Sequence, residues 1–223
     1  MRTPARSTPS DAELNDAWNA ALRGDREAFR AAVTPHLGEL LRAARHEVRY
    51  RVALGDFEPN DPTAEELVGE VLIRAWPERH NRPPSVRLSV WLLALSYLAA
   101  RELARGQARL RRMPTESLED SVPPEPIYDD DEEFWEWYQP DEMTRWEDVV
   151  EAPTMTPEEE AWADEELTRT LDPLAREVFL LCELHRVPLS EAALALGTGL
   201  EDAARLLEEA RRHLGLGEDR NLI

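Results

Sequence analysis

The chain has 223 residues, 42% of them hydrophobic, with 17 prolines, a formal net charge of −20 and one cysteine, Cys182, too few thiols for an internal disulfide. Residues 1–10 are polar, so no secretory signal is read there. The longest nearly apolar run, residues 90–100, is about half of the ~20 residues a membrane helix needs. The expectation is a soluble cytoplasmic protein without membrane contact, and its acidity does not exclude nucleic acid: residues 1–112 carry 18 Arg against 15 carboxylates, residues 113–166 one against 21, and residues 167–223 seven against 10.

Ser10 with Glu13 forms a capping-box pattern, and Leu14, Trp18 and Leu22 then recur every fourth residue until Gly24. A second helix starts at Asp25 with Phe29 and Val33, Pro35 marks a break or kink, and the period resumes through Leu37, Leu41, Ala44, Val48 and Val52. Asp61 is the predicted cap of the next helix because Pro62 suits a first helical position. Its stripe is Leu67, Val68, Val71, Leu72, Ala75 and Trp76, and Pro77 closes it. Ser89 is the predicted cap of a long helix that is apolar to Ala100 and strongly basic to Arg112. Arg101, Arg105, Arg109 and Arg112 fall on one face of that helix.

Residues 113–156 have turn-forming prolines, long acidic runs and no sustained helical period, so they read as a partly disordered linker. Phe134, Trp135, Trp137, Tyr138 and Trp146 lie among its carboxylates. Two readings stay open: a solvated tether whose aromatics pack on a domain, or a nucleic-acid mimic laid on the Arg101–Arg112 face. Helical pattern returns at residues 157–171, and Asp172 with Pro173 restarts it. A short helix over residues 190–196, a turn at Gly197, Thr198 and Gly199, and a last helix over residues 200–214 make a helix-turn-helix pattern. No period-2 strand pattern is present, so the expected fold is all-α. Its two helical domains span residues 10–112 and 157–216, joined by the acidic linker at residues 113–156.

Several stretches resemble the sigma-70 family of RNA polymerase sigma factors, specifically the extracytoplasmic-function type. Thr63-Ala64-Glu65-Glu66-Leu67-Val68-Gly69-Glu70-Val71-Leu72-Ile73-Arg74-Ala75-Trp76 is similar to the family's region 2 helix that docks on the polymerase clamp. By that resemblance Glu65, Glu66, Leu67, Glu70 and Arg74 are the polymerase-binding candidates. Leu88-Ser89-Val90-Trp91-Leu92-Leu93-Ala94 looks like the start of the helix that melts and captures the −10 element. The resemblance makes Trp91, Arg101, Arg105, Arg109, Arg111 and Arg112 the −10 candidates, with guanidinium groups for phosphates and rings for flipped bases. Two other readings stay open: a solvated basic face packed on the linker, and Trp91 as a core residue. Asp172-Pro173-Leu174-Ala175-Arg176-Glu177-Val178-Phe179-Leu180-Leu181 and Val187-Pro188-Leu189-Ser190-Glu191-Ala192-Ala193 are similar to region 4. Its recognition helix departs from the family pattern, with Ala204, Leu206 and Glu209 where basic residues are usual, and Arg205, Arg211 and Arg212 are left as −35 candidates.

The resemblance implies a factor that brings core RNA polymerase to promoter DNA and opens the −10 region, with an anti-sigma factor as a further partner. The eroded recognition helix keeps open a sigma-like interaction protein that binds polymerase or an anti-sigma factor without reading a promoter. No phosphate-cradling glycine loop or zinc pattern is present, and Cys182 with His185 makes only two ligands of an incomplete site. The expectation is no enzyme activity, no small-molecule substrate, no cofactor and no metal.

Overall fold

The computed structural model describes residues 11–59, 61–112 and 169–216. Ser10, the acidic linker and residues 157–168 of the predicted following helix lie outside the described residues. Eight α-helices carry the described chain: α1 (Asp11–Leu22), α2 (Arg26–Val33), α3 (Leu37–Ala53), α4 (Ala64–Glu78), α5 (Leu88–Arg111), α6 (Pro173–Phe179), α7 (Leu189–Leu196) and α8 (Leu200–His213). Among the described residues there is no strand, only an isolated bridge between Glu58 and Asp61.

Local chemistry sets the helix ends. Asp25 starts α2 by accepting a hydrogen bond from the Ala28 amide at 3.0 Å. Pro35 does not kink one helix: it sits in a 3-10 turn, Thr34–His36, that re-aims α3. α4 corrects the expectation of an Asp61 cap. Thr63 is the cap: its hydroxyl accepts from the Glu66 amide at 3.2 Å while the Glu66 carboxylate accepts from the Thr63 amide at 2.8 Å. Pro77 lies inside the last turn of α4 rather than past it. α5 begins one residue before the expected Ser89 cap, with Arg87 at the N-cap. Gly197, at φ 68°, closes α7 in the left-handed conformation that glycine adopts without a Cβ clash.

One continuous apolar cluster joins all eight helices. At its N-terminal end Trp18 stands edge-on to Trp91 with centroids 5.9 Å apart, and Phe29 edge-on to Trp76 at 5.3 Å. The Arg82 and Arg79 guanidinium groups cap this aromatic layer, 4.8 Å from the Trp18 ring and 4.2 Å from the Trp76 ring. α3, α4 and α5 pack on one another, and α6 and α7 both rest on α8. α7 also contacts α5, which places the C-terminal helices against the N-terminal bundle. α6 does not end at Phe179: one wide turn, Leu180–Leu184, continues it and brings His185 back towards α3.

Candidate functional site

Three surfaces, on α4, α5 and α8, and one buried seam carry the candidate residues. On α4, the stripe Leu67, Val68, Val71 and Ala75 is fully buried. Leu67 therefore packs the core and offers nothing to a partner, which corrects its place among the polymerase contacts. Glu65 pairs with Arg45 at 3.5 Å, and Arg74 is held by Glu78 and Glu102. Glu66 closes the cap, and its carboxyl is held below the usual range by the Thr63 amide. Glu70 is exposed, and Ile73 beside it is 71% exposed. Sequence reasoning passed over Ile73. The signal was there: a large aliphatic residue out of phase with the buried stripe, one turn from Glu70.

The five arginines of α5 separate. Arg105, Arg109 and Arg112 are exposed and make no ion pair with the described residues. Arg111 is tied back, donating to the Gly55 and Asp56 carbonyls at 2.7 and 3.1 Å and pairing with Glu58 at 3.3 Å. Arg101 sits under the C-terminal helices, its Nε 3.4 Å from a Glu177 carboxylate oxygen. Trp91 is 5% exposed and packed edge-on against Trp18, and Tyr97 is buried as well. The aromatic half of the −10 expectation is corrected: in this arrangement α5 offers guanidinium groups to phosphates but no ring face to a base.

On α8 each −35 candidate already has a carboxylate. Arg205 bonds Asp202 at 2.5 Å, Arg212 bonds Glu208 at 2.9 Å, and Arg211 donates through Nε to Glu183 at 2.8 Å. Such exposed pairs contribute little to stability, yet they place negative charge where a phosphate would have to come.

The seam between α6–α8 and the bundle is built on buried charge, which a protein tolerates only in pairs. Glu47 on α3 accepts from Arg51 Nε at 2.8 Å and from Arg176 Nη1 on α6 at 2.5 Å. Arg176 also lies 3.6 Å from the Tyr50 ring centroid, and Arg51 reaches Asp56 at 3.0 Å. At the rim, Arg87 at the start of α5 grips Glu191 of α7 through its amide at 2.7 Å and its guanidinium at 2.9–3.1 Å. His185 meets Glu39 at 3.2 Å, a bond that holds the Glu39 carboxyl below its ordinary value. A small cavity beside Glu47, Arg176 and His185 has room for about one water molecule.

Two titratable groups in this seam give stability opposite pH slopes. Burial pushes the Glu177 carboxyl from 4.5 up to about 7, opposed by Arg101, with Glu47, Arg51 and Arg176 also facing it. The folded chain holds that proton more tightly than the unfolded one. Its contribution is thus complete below pH 4.5 and lost as pH rises through about 7. Burial, aided by Arg49 and Arg176, drives His46 from 6.5 down to about 4, so its contribution is complete above pH 6.5 and lost as pH falls towards about 4. Above pH 6.5 only the Glu177 slope acts. Thermal melts of wild type and E177Q through neutral pH should show a decline in Tm for the former that the latter lacks; parallel curves would refute the assignment.

Among the described residues no group of three or more His, Cys, Asp or Glu side chains is placed to hold a metal. Burial raises the Cys182 thiol to about 11, away from nucleophilic chemistry at neutral pH. No helix of the described residues is long and apolar enough to cross a membrane.

No protein-family profile matches the chain, and no curated protein is significantly similar to it in sequence. Among solved structures it is similar to CnrH in complex with the cytosolic domain of CnrY, with TM-score 0.52 and 19% identity over 95% of this chain and 100% of that one. A second similar structure is the sigma factor RpoE in complex with the anti-sigma factor NepR from Bartonella quintana, with TM-score 0.47 and 18% identity over 86% of this chain and 98% of that one. The likeness is one of fold: this chain shares the all-helical fold of CnrH.

Proposed function

We propose that the protein is a sigma factor that docks on core RNA polymerase through the outer face of α4 and holds the opened −10 strand along the exposed end of α5. The observation that carries this reading is the row Arg105, Arg109 and Arg112: three exposed cations on one helix face, without carboxylate partners among the described residues. A guanidinium row of this kind tracks a phosphate backbone and makes the binding salt-dependent. The fold shared with CnrH and the motif resemblances of α4 and α6 support the same reading. Glu66, Glu70 and Ile73 form the α4 face, an apolar anchor rimmed by carboxylates, suited to a basic and apolar groove on the polymerase. The site of action is then the cytoplasm, where polymerase and promoter DNA meet.

A second reading has its own support. Arg205, Arg211 and Arg212 are each neutralised by a carboxylate, which favours a protein that binds polymerase or an anti-sigma factor without reading a −35 element. Co-elution of the full chain with core polymerase, followed by run-off transcription on genomic DNA, separates the two. The first reading expects both association and transcripts; association with no transcript from any template selects the second. E70R/I73D should weaken association by at least about tenfold, since it reverses a rim charge and buries a carboxylate at the anchor. Unchanged co-elution would remove α4 as the docking face.

A further inference from the structure

Among the described residues four polar contacts tie the C-terminal helices to the bundle, and two of them use arginines at or in α5, Arg87 with Glu191 and Arg101 with Glu177. Arg101 continues the row of Arg105, Arg109 and Arg112 by one helical turn, so the same side that offers three free guanidinium groups ends under α6. The four contacts are not equally well made. Glu47 is satisfied by two arginines at hydrogen-bond distance. Glu177, 1% exposed, has no hydrogen bond to either carboxylate oxygen, and the Nε of Arg101 has none either, although the two charges stand 3.4 Å apart. A buried carboxylate and a part-exposed guanidinium that attract without bonding are held by the packing around them. Both recover hydrogen bonds when the seam opens to water or to another ligand.

We infer that Glu177 is a stand-in for a nucleic-acid phosphate: it occupies Arg101 in the closed chain, and α6–α8 form a latch that masks the upper part of the arginine row until a phosphate takes the place of the carboxylate. The inference rests on the proposed role of α5 in holding a single strand. It goes further in assigning the C-terminal helices an inhibitory contact with that same row. Chemistry favours the exchange. A phosphate accepts two parallel N–H bonds from a guanidinium, where Glu177 makes none to Arg101. The bond from Arg176 to Glu47 supplies the opposing preference for the closed form.

The test uses the full chain and a fluorescently labelled single-stranded oligonucleotide of mixed sequence at low salt. At about pH 8, where the Glu177 carboxyl is ionised, E177Q removes the charge that competes with phosphate for Arg101 and should raise affinity by about tenfold. E177A should change it in the same direction. Adding R101A should cancel that gain. Oligonucleotide binding to the wild type should also speed amide exchange across residues 173–184 as the latch lifts. If the wild type binds, R105E/R109E abolishes binding, and neither Glu177 variant gains affinity, the latch is overturned while the α5 reading stands. If neither wild type nor E177Q binds and R105E/R109E changes nothing, the α5 reading falls and takes the latch with it.

Discussion

Replacing Glu47 with alanine should lower stability by about 3–5 kcal/mol, the usual cost of leaving a buried charge without its partner. Two guanidinium groups converge on this carboxylate, and the side chains of Arg176 and Arg51 are only 2% and 7% exposed. Arg51 keeps Asp56, but Arg176 loses the Glu47 oxygen that crosses the seam. For a chain of this size the loss corresponds to a fall in Tm on the order of 10 °C. Thermal and urea melts of the full chain measure it directly. The informative companion is E47M/R176M, in which apolar side chains of similar volume replace both members. That pair should recover most of the loss, because the cost lies in the orphaned charge rather than in missing attraction. A double variant as unstable as E47A would show instead that Glu47 acts by shaping α3. R87A, at the rim, should cost less than E47A, about 1–2 kcal/mol, since the guanidinium is mostly solvated and the largely buried Glu191 keeps its bond from the residue 87 amide.

What was legible in the chain beforehand follows the range of the interactions involved. The α4 stripe could be read because its partners repeat every three or four residues, and the fold class because no alternating pattern competes with that period. The Thr63–Glu66 cap was equally local and equally visible; it was missed because the proline at Pro62 drew the helix start two residues upstream. The seam is different in kind. Glu47 meets Arg176 across 129 positions, and a single sequence contains nothing that pairs them. The available hint was one of composition: Arg176 and Glu177 stand adjacent inside an otherwise apolar run from Leu174 to Leu181, where two charges survive burial only with partners. Arg101 shows the same limit from the other side. Its spacing matches that of Arg105, Arg109 and Arg112, and periodicity assigns all four to one face without saying that another element covers the first. Trp91 is ambiguous for a related reason, since an aromatic residue at the start of an amphipathic helix has the same pattern whether it stacks on a base or packs edge-on against Trp18.

The triple change R105E/R109E/R112E should reduce affinity for a single-stranded oligonucleotide by at least about 100-fold at low salt, and its salt dependence should identify the cause. Each guanidinium that neutralises a phosphate of a single strand releases about 0.7 of a counterion, so losing three contacts should flatten the logarithmic salt slope by about two. A merely unfolded variant would lose affinity too, but its circular dichroism and Tm would change. These three side chains are exposed and form no ion pair with the described residues, so the fold should not register the change. R205E/R211E/R212E serves as the internal comparison. Its arginines already share their charge with Asp202, Glu183 and Glu208, and few of them can be neutralising phosphate at the start. The slope should then shift by less than about one. Fluorescence anisotropy across a salt series decides between the two faces. A large slope change confined to the α8 variant would move nucleic-acid binding to the C-terminal helices and leave α5 as a structural helix with a solvated basic end.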